Sequence, residues 1–179
     1  GVSSGAAAGA AIVTMSGGIT AMGGLAAGLS IAGAAFTGAL ISGLIIMAAS
    51  RRFRTSTTLL IFGVMLGFIV SALTTILQYS SDAESLKIYY SWSAGSFSAT
   101  TWPQTAIIAI ALSAGTFMAL HGRKGLDIIL FGDEYAEMAG ADTEHIRRRA
   151  LIGCCILTGT ATAFCGPLGF VGIIAPHIA

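Results

Sequence analysis

The sequence predicts an all-α integral membrane protein, a polytopic bundle of about six membrane helices. Three observations carry that reading. The chain has 179 residues, 55% hydrophobic and only 9% charged, where a soluble domain carries about 25% charged residues. Residues 1–50, 55–81, 88–122 and 150–179 hold no Asp, Glu, Lys or Arg. The charges that do occur fall between these stretches. A hydrocarbon core of about 30 Å asks a helix for about 20 apolar residues, which each stretch supplies. The formal net charge of +1 gives no basic field for nucleic acid.

The spans are expected at 3–20, 26–50, 57–79, 103–121 and 149–165, with a sixth starting near 169. The first carries Gly1, Gly5 and Gly9 at four-residue spacing, and the second carries Gly24 and Gly28. Such repeats let helix backbones approach closely in lipid, where there is little hydrophobic drive between helices. They fit packing within one subunit. The third span has Gly63 and Gly67 with Ser71, Thr74 and Thr75. This mildly polar, uncharged set is either a path lining for a bulky solute or a group of hydroxyls bonded to their own helix. The fourth span opens at Pro103, whose missing N–H suits a first helical turn. The fifth contains Cys154, Cys155 and Cys165, read as buried free thiols. Adjacent cysteines make neither a zinc site nor a redox Cys-x-x-Cys pair.

Charge sets the topology. Alternating spans put Arg51, Arg52, Arg54, Arg123, Lys124, Arg147, Arg148 and Arg149 on one side, and Lys87 on the other. The positive-inside rule makes the first side cytoplasmic. Loops 51–56 and 122–148 are then cytoplasmic and loop 80–102 extracytoplasmic. The extracytoplasmic loop carries Tyr79, Tyr89, Tyr90, Trp92 and Trp102 near its ends or within it. These fit an interfacial aromatic belt, or a vestibule wall that touches solute or a docking protein.

One polar island interrupts the chain, "FGDEYAEMAGADTEHIRRRA" at 131–150. Asp133 is placed to cap a short helix, Glu134 adds charge at the positive end of its dipole, and Gly140 is a natural stop. Asp142 can cap a second helix that runs through Ile146 and the arginines into the fifth span. Spacing alone leaves a solvated connection and a protein-docking helix both open.

Three motifs extend the reading. "FGDEYAEMAGAD" resembles the cytoplasmic coupling motif of the FecCD family of ABC-transporter permeases, with Gly132, Glu134, Ala136 and Gly140 matching. Phe131 and Ala139 stand where Leu is usual, and Asp133 where Glu is usual. "GPLGFVGIIAPHIA", 166–179, resembles the family signature through Gly166, Pro167, Gly169, Phe170, Gly172, Pro176 and His177, with Leu168 and Ile173 as mild departures. The opening "GVSSGAAAGA" is similar to a third family segment.

The resemblance implies one transmembrane permease domain over 1–179, an internal part of a ten-helix subunit, with a cytoplasmic coupling segment at 126–148. It implies that Gly132, Asp133, Glu134, Ala136, Glu137 and Gly140 meet an ATPase subunit. It places Gly63, Gly67, Ser71, Thr74 and Thr75 on a pathway-lining helix at a dimer interface. It also implies a second permease subunit, identical or paralogous, and an extracytoplasmic substrate-binding protein. The setting is the bacterial inner membrane. The solute implied is an iron chelate, a ferric siderophore first, with haem or cobalamin as alternatives.

The chain contains no Walker sequence, so ATP and magnesium are expected on the partner ATPase. No catalytic residue, bound cofactor or metal is assigned to this chain. His121, His145 and His177 lie far apart, without ligand partners at helical spacing. An ion-driven carrier would usually hold an ionisable residue within a span, and none is present away from the span ends. A non-transporting scaffold is the remaining alternative.

Overall fold

The structure, a computed structural model, describes residues 1–16, 24–52, 56–95, 101–121, 123–130 and 132–167. Among these, all regular structure is helical: α1 (Val2–Met15), α2 (Gly24–Arg52), α3 (Ser56–Tyr79), α4 (Ala83–Ser93), α5 (Trp102–His121), α6 (Arg123–Ile129), α7 (Asp133–Met138) and α8 (Thr143–Cys165). Three stretches are long and apolar enough to cross a membrane: Ala26–Ser50, Thr57–Tyr79 and Trp102–His121. They coincide closely with the predicted second, third and fourth spans.

The first predicted span, 3–20, is longer than the helix described, because α1 ends at Met15 with Ser16 as its C-cap. Residues 17–20 and the sixth predicted span lie outside the described residues. α8 begins well before the predicted 149, because Asp142 caps it as the sequence suggested: its Oδ1 accepts the His145 N–H at 3.0 Å. The arginines therefore ride on the first turns of a helix that continues unbroken to Cys165.

The helices pack in the order α3, α1, α2, α8, α5, with the strongest association between α1 and α2. Small residues explain that seam. A β-carbon on Gly38 would fall on the Gly5 carbonyl, and one on Gly9 would fall on the Ala34 carbonyl. Ala6, Ala10, Ala35 and Ala39 along the same helices are fully buried. Backbone meets backbone, as small residues permit in lipid. Ser42 donates to its own helix at Ala39, 3.0 Å, and lies 3.5 Å from the Val2 carbonyl of α1. The spaced glycines Gly5 and Gly9 thus serve packing within the chain. α2 and α8 run antiparallel, with Gly43 beside Cys155 and Gly159 beside Ala39. Gly115 of α5 receives Leu157 of α8.

The cysteine expectation needs correction. Cys165 is buried, but Cys155 is only partly so and Cys154 is exposed. Adjacent positions on a helix differ by about 100°, so Cys154 and Cys155 cannot share the face that meets α2.

α4 was not predicted. The aromatics of the 80–102 loop suggested a belt, yet they divide by helical register. Tyr89 is buried and Trp92 packs against the core, whereas Tyr79, Tyr90 and Trp102 are exposed. Asp82 is the N-cap and Glu84 lies in the first turn, a start signal that the aromatic content obscured. Tyr89 meets Tyr90 edge-on at 5.8 Å and Trp92 at 6.2 Å between ring centroids. The Tyr90 hydroxyl donates to Gln78 Oε1 at the end of α3, 3.3 Å. Burial pushes the Tyr89 phenol above the usual tyrosine range, and a hydrogen bond with Gln78 offsets part of the rise.

The ends of the bundle are therefore distinct. α4 lies with the C-terminal ends of α1, α3 and α8. α6 and α7 lie with the start of α8. Lys87 belongs to the first end, and Arg52, Arg147, Arg148 and Arg149 belong to the second. Arg54 lies outside the described residues.

Candidate functional site

The polar island folds into a compact helical connection. α6 packs on α8, where Ile146 fills the space that a side chain at Gly125 would need, 2.8 Å away. The chain then turns at Gly132, whose φ of +110° is open to glycine and strained for other residues. The Gly132 N–H closes the turn on the Ile129 carbonyl at 3.0 Å. α7 follows for six residues, Asp133–Met138. Asp133 is the first helical residue rather than the cap, because Gly132 already supplies the preceding carbonyl, bonded by the Ala136 N–H at 3.1 Å.

Gly140, with φ +79°, ends α7 as predicted. The Ala141 N–H reaches back to the Ala136 carbonyl at 2.9 Å, the six-to-one bond of a Schellman closure. Two left-handed glycines thus bracket one short helix. Ala136 is fully buried, and α7 contacts both α6 and α8. A larger residue at 136 would need its surroundings to give way. Tyr135 is 59% exposed, Met138 88% and Leu130 84%. These side chains form an apolar surface on a polar connection, outside the bundle. The side chains of Asp133, Glu134 and Glu137 lie outside the described set, as does Phe131 altogether.

The second set of candidates sits on α3 and splits by register. Gly67 lies near α1, where an added β-carbon would be 3.6 Å from Ser4 Oγ, and Gly63 is partly buried with open space beside it. Thr74 is buried and donates to the Val70 carbonyl at 2.9 Å. Ser71 and Thr75, on the adjoining side of the helix, are exposed, and Thr75 donates to the Ser71 carbonyl at 3.0 Å. The threonine hydroxyls are therefore satisfied within their own helix. The exposed face also carries Leu60, Val64, Met65, Phe68 and Ile76. Within the described residues α3 and α5 are the least covered membrane helices, each with 6% of its membrane window buried.

Of the signature residues, Gly166 and Pro167 are described and follow the end of α8. Gly169, Phe170, Gly172, Pro176 and His177 lie outside the described residues.

Comparison with known proteins adds to this geometry. The FecCD transport family model matches residues 1–179. The vitamin B12 import system permease protein BtuC of Vibrio cholerae is 32% identical over 146 residues, 81% of this chain and 44% of that protein. The cobalamin import system permease protein BtuC of Halobacterium salinarum is 32% identical over 180 residues, 99% of this chain and 46% of that protein. The chain spans about half the length of the curated relatives it matches. A solved structure assigned to the metal-chelate type of ABC transporter, in an inward-facing conformation, superposes with a TM-score of 0.83. It is 23% identical and covers 99% of this chain and 55% of its own, a likeness of fold.

Proposed function

Because the chain belongs to the FecCD transport family, we propose that it forms part of a permease subunit in an ATP-driven importer of a large metal chelate. The observation that carries this reading is the glycine-bracketed helix α7, in contact with α6 and α8, with Ala136 buried, Tyr135 and Met138 exposed, and exposed Leu130 just before it. A short rigid helix with an apolar outer surface suits a cleft in a partner protein. The partner in this reading is the ATPase subunit of the importer, in keeping with the import-system permeases that the chain is similar to.

In this reading the end with α6 and α7 is cytoplasmic, following its arginines. Closure of the ATPase pair displaces α7. The displacement passes through Ala136 into α6 and α8, and α8 carries it through the bundle. The exposed face of α3, with Ser71 and Thr75, meets a second permease subunit and lines the path with Gly63, Gly67 and Thr74 behind it. A path walled by apolar side chains and hydroxyls holds no fixed charge to trap a solute. An extracytoplasmic binding protein supplies the solute at the α4 end.

Relatives named for vitamin B12 or cobalamin import favour a corrinoid as the solute. A ferric siderophore, the first expectation from the sequence, is the competing chelate. The test uses the full-length protein with its ATPase in proteoliposomes, offered labelled cobalamin or a labelled ferric siderophore. ATP-dependent uptake of cobalamin, lost in Glu134→Arg with insertion intact, supports the reading. Uptake of the siderophore alone transfers the assignment to iron. Uptake that survives Glu134→Arg and Gly140→Pro removes α7 as the coupling element.

A further inference from the structure

α8 ends at Gly166 and Pro167, and that ending leaves one buried carbonyl to be satisfied. In an α-helix the carbonyl of residue 163 would take the N–H of residue 167. Residue 167 is proline and has no N–H to give. Ala163 is 1% exposed, so water is a poor substitute. The partner comes from another helix: the Trp92 indole Nε1 donates to the Ala163 carbonyl at 3.2 Å. Gly166 completes the contact. Its φ is +81°, and a β-carbon there would lie 2.5 Å from the Trp92 carbonyl oxygen and 2.9 Å from Gly95 Cα. The Gly-Pro pair thus builds a socket: proline frees the acceptor, and glycine lets the end of α4 come close.

α4 is tied on its other side as well. Tyr90 bonds to Gln78 at the end of α3, and Tyr89 bridges Tyr90 and Trp92. A continuous chain of contacts then runs from α7 to α8, from Ala163 to Trp92, and from Tyr90 to α3. We propose that Trp92 is a positioning residue for transport: its indole N–H latches α4 to the far end of α8, so that displacement of α7 repositions α4 and the end of α3. The transport half of this proposal rests on the function proposed above. The latch itself does not.

The experiment compares Trp92→Phe, which keeps an aromatic ring and loses the N–H, with Tyr79→Phe as a control on an exposed ring. The full-length complex in lipid is followed by amide hydrogen exchange and by solute imported per ATP hydrolysed. Loss of one partner from a buried carbonyl is expected to speed exchange across 83–93 by about tenfold in Trp92→Phe. Imported solute per ATP is expected to fall severalfold while the ATPase rate holds, because α7 and its partner are untouched. Exchange that stays at the wild-type rate overturns the latch. Faster exchange with an unchanged solute-to-ATP ratio overturns the positioning role. If wild type shows no ATP-driven uptake, the transport reading fails, and the exchange rates still decide the latch.

Discussion

The sulfur of Cys155 lies 2.6 Å from the point where a β-carbon on Gly43 would sit. α2 and α8 therefore meet through a missing methyl and a thiol that occupies its place. Gly43→Ala is expected to destabilise the protein by about 1–3 kcal/mol, the usual cost of overpacking. Removing the sulfur reverses the conflict. Gly43→Ala with Cys155→Ala should return to within about 0.5 kcal/mol of Cys155→Ala alone. Thermal unfolding of the four proteins in mild detergent closes the cycle, and strictly additive losses would contradict the contact.

The α1–α2 seam predicts a sharper loss. Gly38→Leu drives a side chain into the Gly5 backbone, which cannot rotate away as a side chain can. The expected cost is about 3 kcal/mol or more, at the upper end for overpacked sites. Gly63→Ala is the matched control, since nothing lies within 4 Å of its added β-carbon. That change should hold stability or raise it by up to about 1 kcal/mol, since alanine is the better helix former. Melting temperatures of equal shift in both variants would show that the seam is looser than its geometry implies.

Gly140 tests the coupling segment by conformation alone. Its φ of +79° is closed to proline, which is fixed near −65°. Gly140→Pro is expected to release the ATPase subunit from the tagged permease. Gly140→Asn, whose side chain tolerates the left-handed region, should retain most of it. Co-purification in mild detergent gives the readout. Equal release by both variants would point to a requirement for a bare backbone rather than for a turn.

Tyr89 should titrate late. Burial favours its neutral phenol, so its folded value lies above that of the unfolded chain. Between those two values the folded protein keeps a proton that the unfolded chain has lost. Stability contributed there is full below the ordinary tyrosine range and falls as pH rises through the raised value. A difference spectrophotometric titration of wild type against Tyr89→Phe isolates the phenol, and a missing component within the ordinary range would contradict its burial.

The long helices were legible because charge-free stretches of membrane length leave little else to form. Gly140 and Asp142 were legible from residue type, since each satisfies a local backbone need. α4 was not, because the same aromatics serve a belt or a packed helix face, and only three-dimensional register separates Tyr89 and Trp92 from Tyr90. Asp133 was misplaced by one position, since glycine at 132 already supplied the cap. The pathway candidates on α3 came as one polar group in the sequence. Thr74 is buried while Ser71 and Thr75 are exposed, a division set by where neighbouring helices pack on α3, which a list of hydroxyls does not reveal. The pairing of Trp92 with Ala163 joins residues 71 positions apart, beyond any local signal.

The seam between α1 and α2 is built from glycine and alanine, residues with almost no rotamers to lose. Two helices already formed in lipid can therefore close on one another without freezing side chains, and the contact gains its strength only at short range. A seam of this kind has no flexible side chain to fill a gap, so it tolerates little change of register, and α3 on one side and α8 on the other rest on a pair that either fits or parts.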